Sequence, residues 1–252
     1  MTLLQPTILR FDSIDSTNLE AMRQARAGAQ EGLCIVAREQ TAGRGRLDRS
    51  WQSPKDAGIY FSIVLRPLLR MNAWPLITLM AALAVSDALL KACGLRTDIK
   101  WPNDLCVNDR KLCGILAETV DTEDGPAAIV GIGINLKADS LPATVSDLAT
   151  SVESATARPP DSERVLVELV KAIGERYDLL QNSQGDEHTI REWCASSSYA
   201  VGRQVRVALG NDTFEGTTRG LESDGALRVE VEGQKMRIVR AGDVTALRAM
   251  TT

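Results

Sequence analysis

The sequence feature that most constrains the fold is a series of short apolar segments separated only by turns between residues 95 and 136. Their lengths and their content of Val, Ile and Leu are typical of strands. Strands joined by tight turns run antiparallel, because a parallel pair needs a long crossover connection. We therefore predict an α+β protein with a mixed sheet rather than a doubly wound parallel one. The predicted strands lie at residues 95–100, 105–107, 112–119 and 127–136, with a polar turn at residues 108–111.

The longest apolar run, residues 74–93, predicts the longest helix. Ser86, Asp87 and Lys91 interrupt the run, so we interpret it as a core helix and not as a membrane span. Gly94 follows at the position where glycine commonly ends a helix. The other predicted elements are strands at residues 8–11, 33–37 and 58–65, helices at residues 19–28, 161–180 and 187–194, and a loop with room for one short helix at residues 138–160.

The character of the sequence changes after Ser198, where short alternating segments and glycine-containing turns replace the helices. This pattern predicts a small β-barrel or curled sheet. We therefore divide the chain into a main domain at residues 1–198 and a small β domain at residues 199–252. Its predicted strands lie at residues 204–209, 213–221, 227–231 and 235–239.

A polar segment of seventeen residues, 39–55, connects two predicted strands and is longer than the roughly 4–6 residues of an ordinary connection. Its three arginines offer charged forks that suit carboxylates and phosphates, and its glycines let the backbone approach a ligand. We expect repulsion among the arginines to hold the loop open until an anionic ligand orders it. The segment is therefore predicted to be an active-site loop, with a solvated basic turn as the alternative.

Composition excludes several classes of function. The net charge of −4 and the sequence pI of about 5.2 argue against a broad nucleic-acid interface. Residues 1–10 lack the basic and apolar regions of a signal peptide, so we expect a soluble, cytoplasmic protein. His188 is the single histidine, which argues against a histidine metal cluster or a Ser-His-Asp site. The five cysteines include no C-x-x-C pair and are interpreted as buried free thiols.

Several motifs far apart in the chain are suited to binding a polar ligand, because each offers hydrogen-bond donors, positive charge or backbone without a side chain. Taken alone, the motif Ser16-Thr17-Asn18, called the Ser16 motif below, is also explained by N-capping of the following helix. In this order, however, the motifs resemble those of the biotin–protein ligases. The resemblance covers residues 8–136 strongly and the C-terminal segments only in outline. The motifs are Ser16-Thr17-Asn18, Gly43-Arg44-Gly45-Arg46 with Arg49 and Trp51, Lys100-Trp101-Pro102-Asn103-Asp104, Arg110-Lys111-Leu112-Cys113-Gly114-Ile115 and Gly131-Ile132-Gly133-Ile134-Asn135.

The resemblance implies a two-step reaction and a fold. Biotin and Mg-ATP would form biotinyl-5′-adenylate and pyrophosphate, and a lysine of a biotin carboxyl carrier protein would then take the biotinyl group. The implied fold is a biotin/lipoate ligase-like catalytic domain followed by a small SH3-like β domain. A homodimer is compatible with it and no membrane partner is expected.

The resemblance also assigns roles to individual residues. Lys111, Arg46 and Asp104 would be catalytic, and Asp104 would contact the metal together with the ATP phosphates. Residues implied to bind biotin are Ser16, Thr17, Asn18, Gln40, Gly43, Arg44, Gly45, Arg46, Lys111 and Gly114. Residues implied to bind the nucleotide are Arg44, Arg49, Trp51, Asn103, Asp104 and Asn135.

Elementary chemistry supports a cationic site for this reaction. A carboxylate must meet the α-phosphate of ATP, and the departing pyrophosphate carries more charge. Arg46 and Lys111 supply positive charge, and losing one preorganised donor of this kind costs about 3–4 kcal/mol of transition-state stabilisation. The acceptor lysine must lose a proton before it attacks, and either Asp104 or solvent could accept it.

Alternative functions remain open from the sequence. A lipoate or octanoate transferase of the related fold, a catalytically inactive biotin-binding protein and an RNA-binding module using the Arg-Gly loop are the competing hypotheses. A dinucleotide site is excluded because neither Gly-x-Gly segment has the third glycine of the fingerprint. Some biotin–protein ligases carry an N-terminal helix-turn-helix domain; since fifteen residues precede Ser16, we expect a ligase without direct DNA binding.

Overall fold

A seven-stranded mixed sheet organises the larger part of the molecule. The computed structural model describes residues 4–138, 141 and 147–247. The strands are β1 (Thr7–Phe11), β2 (Leu33–Ala37), β3 (Gly58–Leu65), β4 (Asp98–Lys100), β5 (Asp104–Val107), β6 (Arg110–Thr122) and β7 (Gly125–Asn135). They lie in the order β1-β2-β3-β7-β6-β5-β4. Within the described residues β1 and β2 are parallel and the other pairs are antiparallel, which confirms the predicted mixed sheet.

Helices cover the two faces of this sheet unequally. Alternation along β3 places Ile63 in the core with the long helices and the next residue, Val64, in a smaller core with α1. Ala21 and Ala25 of α1 are fully buried there, so this short helix packs close to the strands. The helices are α1 (Thr17–Arg26), α2 (Pro75–Cys93), α3 (Val152–Thr156), α4 (Ser162–Leu180) and α5 (Gly185–Ala195).

Helix α2 is the predicted core helix. The segment is long and apolar enough to cross a membrane by length and composition, but most of it is buried inside the protein. It ends at Gly94, which adopts the left-handed conformation with φ of 66°. The predicted bounds are therefore correct at both ends to within one residue.

The C-terminal segment forms a separate five-stranded antiparallel sheet, as expected for an SH3-like domain. Four of its strands were predicted, and the fifth, β12, was missed. The strands are β8 (Val201–Leu209), β9 (Asp212–Leu221), β10 (Leu227–Val231), β11 (Lys235–Val239) and β12 (Asp243–Ala246), in the order β11-β10-β9-β8-β12.

One local prediction, the turn between β5 and β6, needs correction. The turn between β5 and β6 contains only Asn108 and Asp109, both with positive φ, as in a two-residue hairpin of type I′. Arg110 and Lys111 belong to β6 instead, so Lys111 projects from a strand and not from the turn.

The loop predicted at residues 138–160 contains the one short helix that was expected there, α3. Its residues 139–140 and 142–146 lie outside the described residues.

The five cysteines are free thiols, as predicted. Cys34, Cys106 and Cys113 are buried, whereas Cys93 and Cys194 are only half-buried. Burial raises the pKa of the Cys34 and Cys106 thiols to about 12, which leaves them protonated and unreactive at neutral pH.

Candidate active site

Three glycines leave one face of the central sheet bare beside α1. Gly114 of β6 pairs with Gly133 of β7, and Leu116 pairs with Gly131. Because alternate residues share a face, all three glycines lie on the side that α1 covers only in part. Their missing side chains leave the floor of a cavity of about 240 Å³.

The start of α1 forms one end of this cavity. Ser16 occupies the N-cap position, but its side chain makes no capping hydrogen bond. The backbone N–H of Thr17 instead donates to Gln40 Oε1 at 2.8 Å. Ser62 Oγ bonds both Thr17 Oγ1 at 2.8 Å and Asn18 Oδ1 at 2.6 Å, inside a buried polar network. The capping interpretation therefore fails for the Ser16 side chain, which lines the cavity.

The glycine- and arginine-rich loop folds over the cavity as a small hairpin. Trp51 N donates to the carbonyl of Gly43 at 2.9 Å, and Gly45 N donates to the carbonyl of Arg49 at 2.7 Å. A Cβ at Gly43 would collide with the Trp51 carbonyl and lie 2.8 Å from Ser53 Oγ, so only glycine fits this position. The expectation that the arginines hold the loop open differs from the structure, because most of their charge is matched by partners.

The three loop arginines have different partners. Arg44 forms an ion pair with Glu118 at 3.0 Å, and Arg49 forms one with Asp243 of β12. Arg46 instead donates to two uncharged oxygens, Asn103 Oδ1 at 3.0 Å and the Gly242 carbonyl at 3.3 Å.

Arg46 consequently keeps an unmatched charge. No described residue places a carboxylate within 4.0 Å of it. Burial lowers the pKa of its guanidinium, while the nearby Asp243 and Asp104 act in the opposite direction. An arginine stays protonated in proteins, so Arg46 presents a partly buried positive charge to the cavity.

Lys111 and Asp104 lie together on the side of the cavity next to Gly114. Lys111 Nζ is 2.7 Å from Asp104 Oδ1 and 5.4 Å from the centre of the Trp51 ring. The backbone of Lys111 is also bonded to residues outside the sheet. Its N–H donates to the Leu148 carbonyl, and its carbonyl accepts from Thr150 N, both at 2.8 Å. This end of the site therefore combines a fixed ammonium group with a carboxylate.

Trp51 lies across the glycine floor. A Cβ at Gly133 would be 2.5 Å from its indole ring, and one at Gly114 would be 3.1 Å from it. The Trp51 Nε1 atom is buried and has no hydrogen-bond partner among the described residues. A flat, apolar ring thus borders the cavity beside Lys111, while its unused N–H lies buried against Gly133.

The structure brings most of the predicted site residues together. Gly43 and Asn135 do not line the cavity: Gly43 shapes the loop, and Asn135 Nδ2 donates to the Thr150 carbonyl at 3.0 Å. Their assigned ligand contacts stay predictions. Predicted residues that line the cavity are Ser16, Thr17, Asn18, Gln40, Arg44, Gly45, Arg46, Arg49, Trp51, Asn103, Asp104, Lys111 and Gly114.

Sequence reasoning missed several members of the site. Ser62 and Glu118 do not line the cavity but hydrogen-bond Asn18, which does. Ser62 is a lone serine in an apolar strand, whereas Glu118 is one of several polar residues of β6. Asp243 belongs to the strand that was not predicted, and no motif marks it. Gly131 and Gly133, from the last of the motifs, form part of the cavity floor, where the side chains of Asn18 and Trp51 lie against them.

Comparison with known proteins identifies what the chain resembles. The model of the biotin/lipoate A/B protein ligase family matches residues 10–135. The model of the biotin protein ligase C-terminal domain matches residues 200–245. The two matches correspond to the sheet that carries the cavity and to the C-terminal sheet.

Curated relatives match over most of the chain. The bifunctional ligase/repressor BirA of Bacillus spizizenii is 36% identical over 225 residues, which cover 88% of this chain and 68% of that protein. The biotin–[acetyl-CoA-carboxylase] ligase of Mycobacterium tuberculosis is 33% identical over 239 residues, which cover 92% and 86%. The structure also superposes on the biotin protein ligase from Aquifex aeolicus in complex with biotin and ATP, with a TM-score of 0.82, 29% identity and coverage of 96% and 99%.

Proposed function

Because the chain belongs to the biotin/lipoate A/B protein ligase family, we propose that its glycine-floored cavity carries out both steps of protein biotinylation. The chain is an ATP-dependent biotin–protein ligase, in keeping with the relatives and the solved structure that it resembles. The observation that carries the assignment of the site is the meeting of the Ser16 motif, the arginine loop and Lys111 around one cavity.

The proposed first step joins two anions. A carboxylate oxygen of biotin attacks the α-phosphorus of ATP, the bond to the bridging oxygen breaks, and pyrophosphate leaves. Arg46 and Lys111 border the cavity on the side of Asn103 and Asp104. Their positive charges would stabilise the transition state, at about 3–4 kcal/mol for one preorganised donor.

The proposed second step transfers the biotinyl group to protein. The amine of a carrier lysine attacks the carbonyl of the mixed anhydride, the carbon–oxygen bond to phosphate breaks, and AMP leaves. Water would destroy the anhydride before the carrier arrives, so the site must exclude it. The folded loop and Gly242 of the C-terminal domain, which accepts a hydrogen bond from Arg46, would shield the anhydride from water.

Magnesium would be carried by the nucleotide. Mg²⁺ takes oxygen ligands and is usually held by one or two carboxylates together with substrate phosphates. The described residues contain no group of three His, Cys, Asp or Glu that could hold a metal on its own. Asp104 is the carboxylate at the phosphate end and fits this mode of binding, in which the metal would neutralise charge on the phosphates.

The remaining proposals concern partners and organisation. We propose a biotin carboxyl carrier protein as acceptor, a cytoplasmic location, and no DNA binding by this chain, since its net charge of −4 disfavours a nucleic-acid interface. Specific nanomolar binding of labelled promoter DNA in the presence of biotin and ATP would refute the last point. A boundary between residues 198 and 199 and a homodimer stay predictions.

The decisive experiment measures pyrophosphate release from ATP with biotin, lipoate or octanoate as the acid. Release with biotin and not with the other two acids is expected. Release with lipoate or octanoate instead would assign the cavity to a different acid. Tight biotin binding by calorimetry without release would mean that the protein binds biotin but has lost catalysis.

A further inference from the structure

Glu118 occupies a central position that no motif predicted. It lies on β6, on the same face as Gly114 and Leu116. Its carboxylate receives Arg44 through both oxygens, at 3.0 and 3.1 Å. It also accepts a hydrogen bond from Asn18 Nδ2 at 2.9 Å. One carboxylate thus joins the loop to the start of α1.

The ion pair changes what Arg44 can bind. A two-pronged pairing with a carboxylate uses the fork geometry that would otherwise receive an anionic ligand. The side chain of Glu118 is only 21% exposed, so solvent screens the pair incompletely. Arg44 therefore offers its remaining N–H groups as positioned donors with their charge already matched, whereas Arg46 keeps its charge for an anion.

The hydrogen bond to Glu118 also fixes the orientation of Asn18. The amide nitrogen donates to Glu118 and to the Leu116 carbonyl at 3.2 Å, while its oxygen accepts from Ser62. A carboxylate accepts hydrogen bonds and cannot donate them, so the amide cannot turn over without losing these contacts. The Asn18 side chain is packed against Gly131, where a Cβ would collide with it.

The charged groups beside the cavity consequently differ between two positions along β6. Glu118 lies four residues beyond Gly114 along β6, about 13 Å at the rise of an extended strand. Lys111 packs against Gly114, with Nζ 3.2 Å from the position a Cβ would take there. Biotin is itself asymmetric, with an uncharged cyclic urea at one end and a carboxylate at the other.

We propose that Glu118 is a positioning residue for the acid substrate. It holds Arg44 as a donor whose charge is already matched, and it fixes Asn18 so that the amide oxygen can accept a hydrogen bond from the uncharged ring. Arg46 and Lys111 are thereby left to receive the carboxylate. The inference rests on the proposed function, because it takes biotin as the acid. It assigns Arg44 to the acid substrate and not to the nucleotide phosphates.

The test is Glu118→Gln, which keeps the size of the side chain and removes its charge. Biotin affinity, measured by calorimetry without ATP, is expected to fall at least about tenfold, and KM for biotin to rise equally. KM for ATP is expected to stay within about twofold, which a general loss of structure would not produce. Wild-type biotin affinity in a folded Glu118→Gln protein would overturn the proposal.

A matched control removes a carboxylate from an arginine pair elsewhere. Glu215 pairs with Arg206 at 2.7 Å on the exposed side of the C-terminal sheet. Glu215→Gln should change neither biotin affinity nor either KM. An equal loss in this variant would show that the effect of Glu118→Gln is not specific to the site.

A double-mutant cycle tests whether Glu118 acts through Arg44. Arg44→Ala alone is expected to weaken biotin binding and to leave KM for ATP unchanged. Adding Glu118→Gln to Arg44→Ala should then cost at least about threefold less than Glu118→Gln costs alone. Fully multiplicative effects, or an Arg44→Ala variant that raises KM for ATP alone, would refute the proposal. If Glu118→Gln does not fold, the Arg44→Ala arm still tests the assignment of Arg44 to the acid substrate, and a rise in KM for ATP alone overturns it.

The wild-type protein separates this inference from the proposed function. If wild type neither binds biotin nor releases pyrophosphate with it, the proposed function fails, and the role of Glu118 in binding biotin fails with it. If wild type does both while Glu118→Gln matches it, only the role of Glu118 fails.

Discussion

At the scale of single residues, Lys111 carries the sharpest catalytic prediction. Its ammonium is 2.7 Å from Asp104 and packs against the Gly114 backbone, so it is held in place before substrates bind. Lys111→Ala should lower the single-turnover rate of pyrophosphate release by roughly a hundredfold or more. The melting temperature should change little, because the side chain is more than one-third exposed.

A second lysine provides the control for that variant. Lys91 of α2 pairs loosely with Glu175 at 3.8 Å and is about half exposed. Lys91→Ala should leave the rate of pyrophosphate release unchanged. A Lys111→Ala protein with wild-type single-turnover kinetics would remove Lys111 from the catalytic set.

Gly133 tests the role of Trp51 without touching the tryptophan. A Cβ there would be 2.5 Å from the indole ring, so Gly133→Ala must displace the ring. Stacking of a base on an aromatic side chain is worth about 1–3 kcal/mol, and we expect KM for ATP to rise about tenfold. Initial-rate kinetics at saturating biotin provide the measurement, and an unchanged KM for ATP would mean that adenine does not stack on Trp51.

Gly174 of α4 is the matched glycine for this experiment. A Cβ at Gly174 would meet no atom within 4 Å. Alanine is favoured over glycine in a helix by about 1 kcal/mol. Gly174→Ala should therefore leave both KM values unchanged and keep or raise the melting temperature.

The site residues that could be predicted from the sequence are those that belong to dense polar motifs. Lys111 and Arg46 stand out by charge and spacing, but Glu118 is one of two carboxylates in a thirteen-residue strand, and strand surfaces commonly carry such residues. Its function depends on which residues the register places beside it. That register brings Arg44, 74 positions away, into contact with Glu118, and no local pattern contains this information.

At the scale of secondary-structure elements, the arginine loop leads to a prediction about retention of the intermediate. Arg46 connects the loop by hydrogen bonds to Asn103 and to the carbonyl of Gly242 in the C-terminal domain. Arg46→Ala should release biotinyl-adenylate into solvent during turnover, because the loop loses both contacts and a charge facing the phosphate. Chromatography of the filtrate detects the free adenylate directly.

Leu47, at the tip of the same loop, supplies the control. Its side chain is 66% exposed, and Leu47→Ala should retain the adenylate as wild type does. An Arg46→Ala enzyme that retains the adenylate equally well would contradict the closing role of the loop.

Elements with strong local patterns were predicted well, and those defined by distant pairing were not. Helix α2 was placed to within one residue because its apolar run and Gly94 are local signals. Strand β12 was missed because it has four residues and its partner β8 precedes it by more than thirty positions. The hairpin of the arginine loop also escaped prediction, because Arg44 and Arg49 are matched by carboxylates from the distant strands β6 and β12.

At the scale of the whole molecule, the C-terminal sheet belongs to the active site as well as to the scaffold. Trp101 Nε1 donates to the Gly225 carbonyl at 3.0 Å, and Arg203 pairs with Asp109 at 3.0 Å beside the β5–β6 turn. These contacts place the start of β12 at the rim of the cavity, where Asp243 meets Arg49. The sequence left open what this domain contacts, and the structure brings it to the proposed nucleotide side.

The Asp243–Arg49 pair should compete with the nucleotide for Arg49. Arg49 is 64% exposed and Asp243 35%, and exposed pairs contribute about 1 kcal/mol or less to stability. The loop also keeps its backbone hydrogen bonds to Gly43 and Arg46. Losing the pair should therefore not unfold the loop. Freeing Arg49 to bind the nucleotide should strengthen ATP binding by more than the lost ion pair weakens it.

Asp243→Asn is accordingly expected to lower KM for ATP by up to about fivefold, the factor that about 1 kcal/mol represents. The effect should shrink as salt is added, because salt screens exposed charges. Asp212→Asn removes a carboxylate that pairs with Arg237 at 2.7 Å on the same sheet and should change nothing. If KM for ATP rises in Asp243→Asn, the carboxylate supports nucleotide binding by holding the loop, and competition is the wrong description of the contact between the two domains.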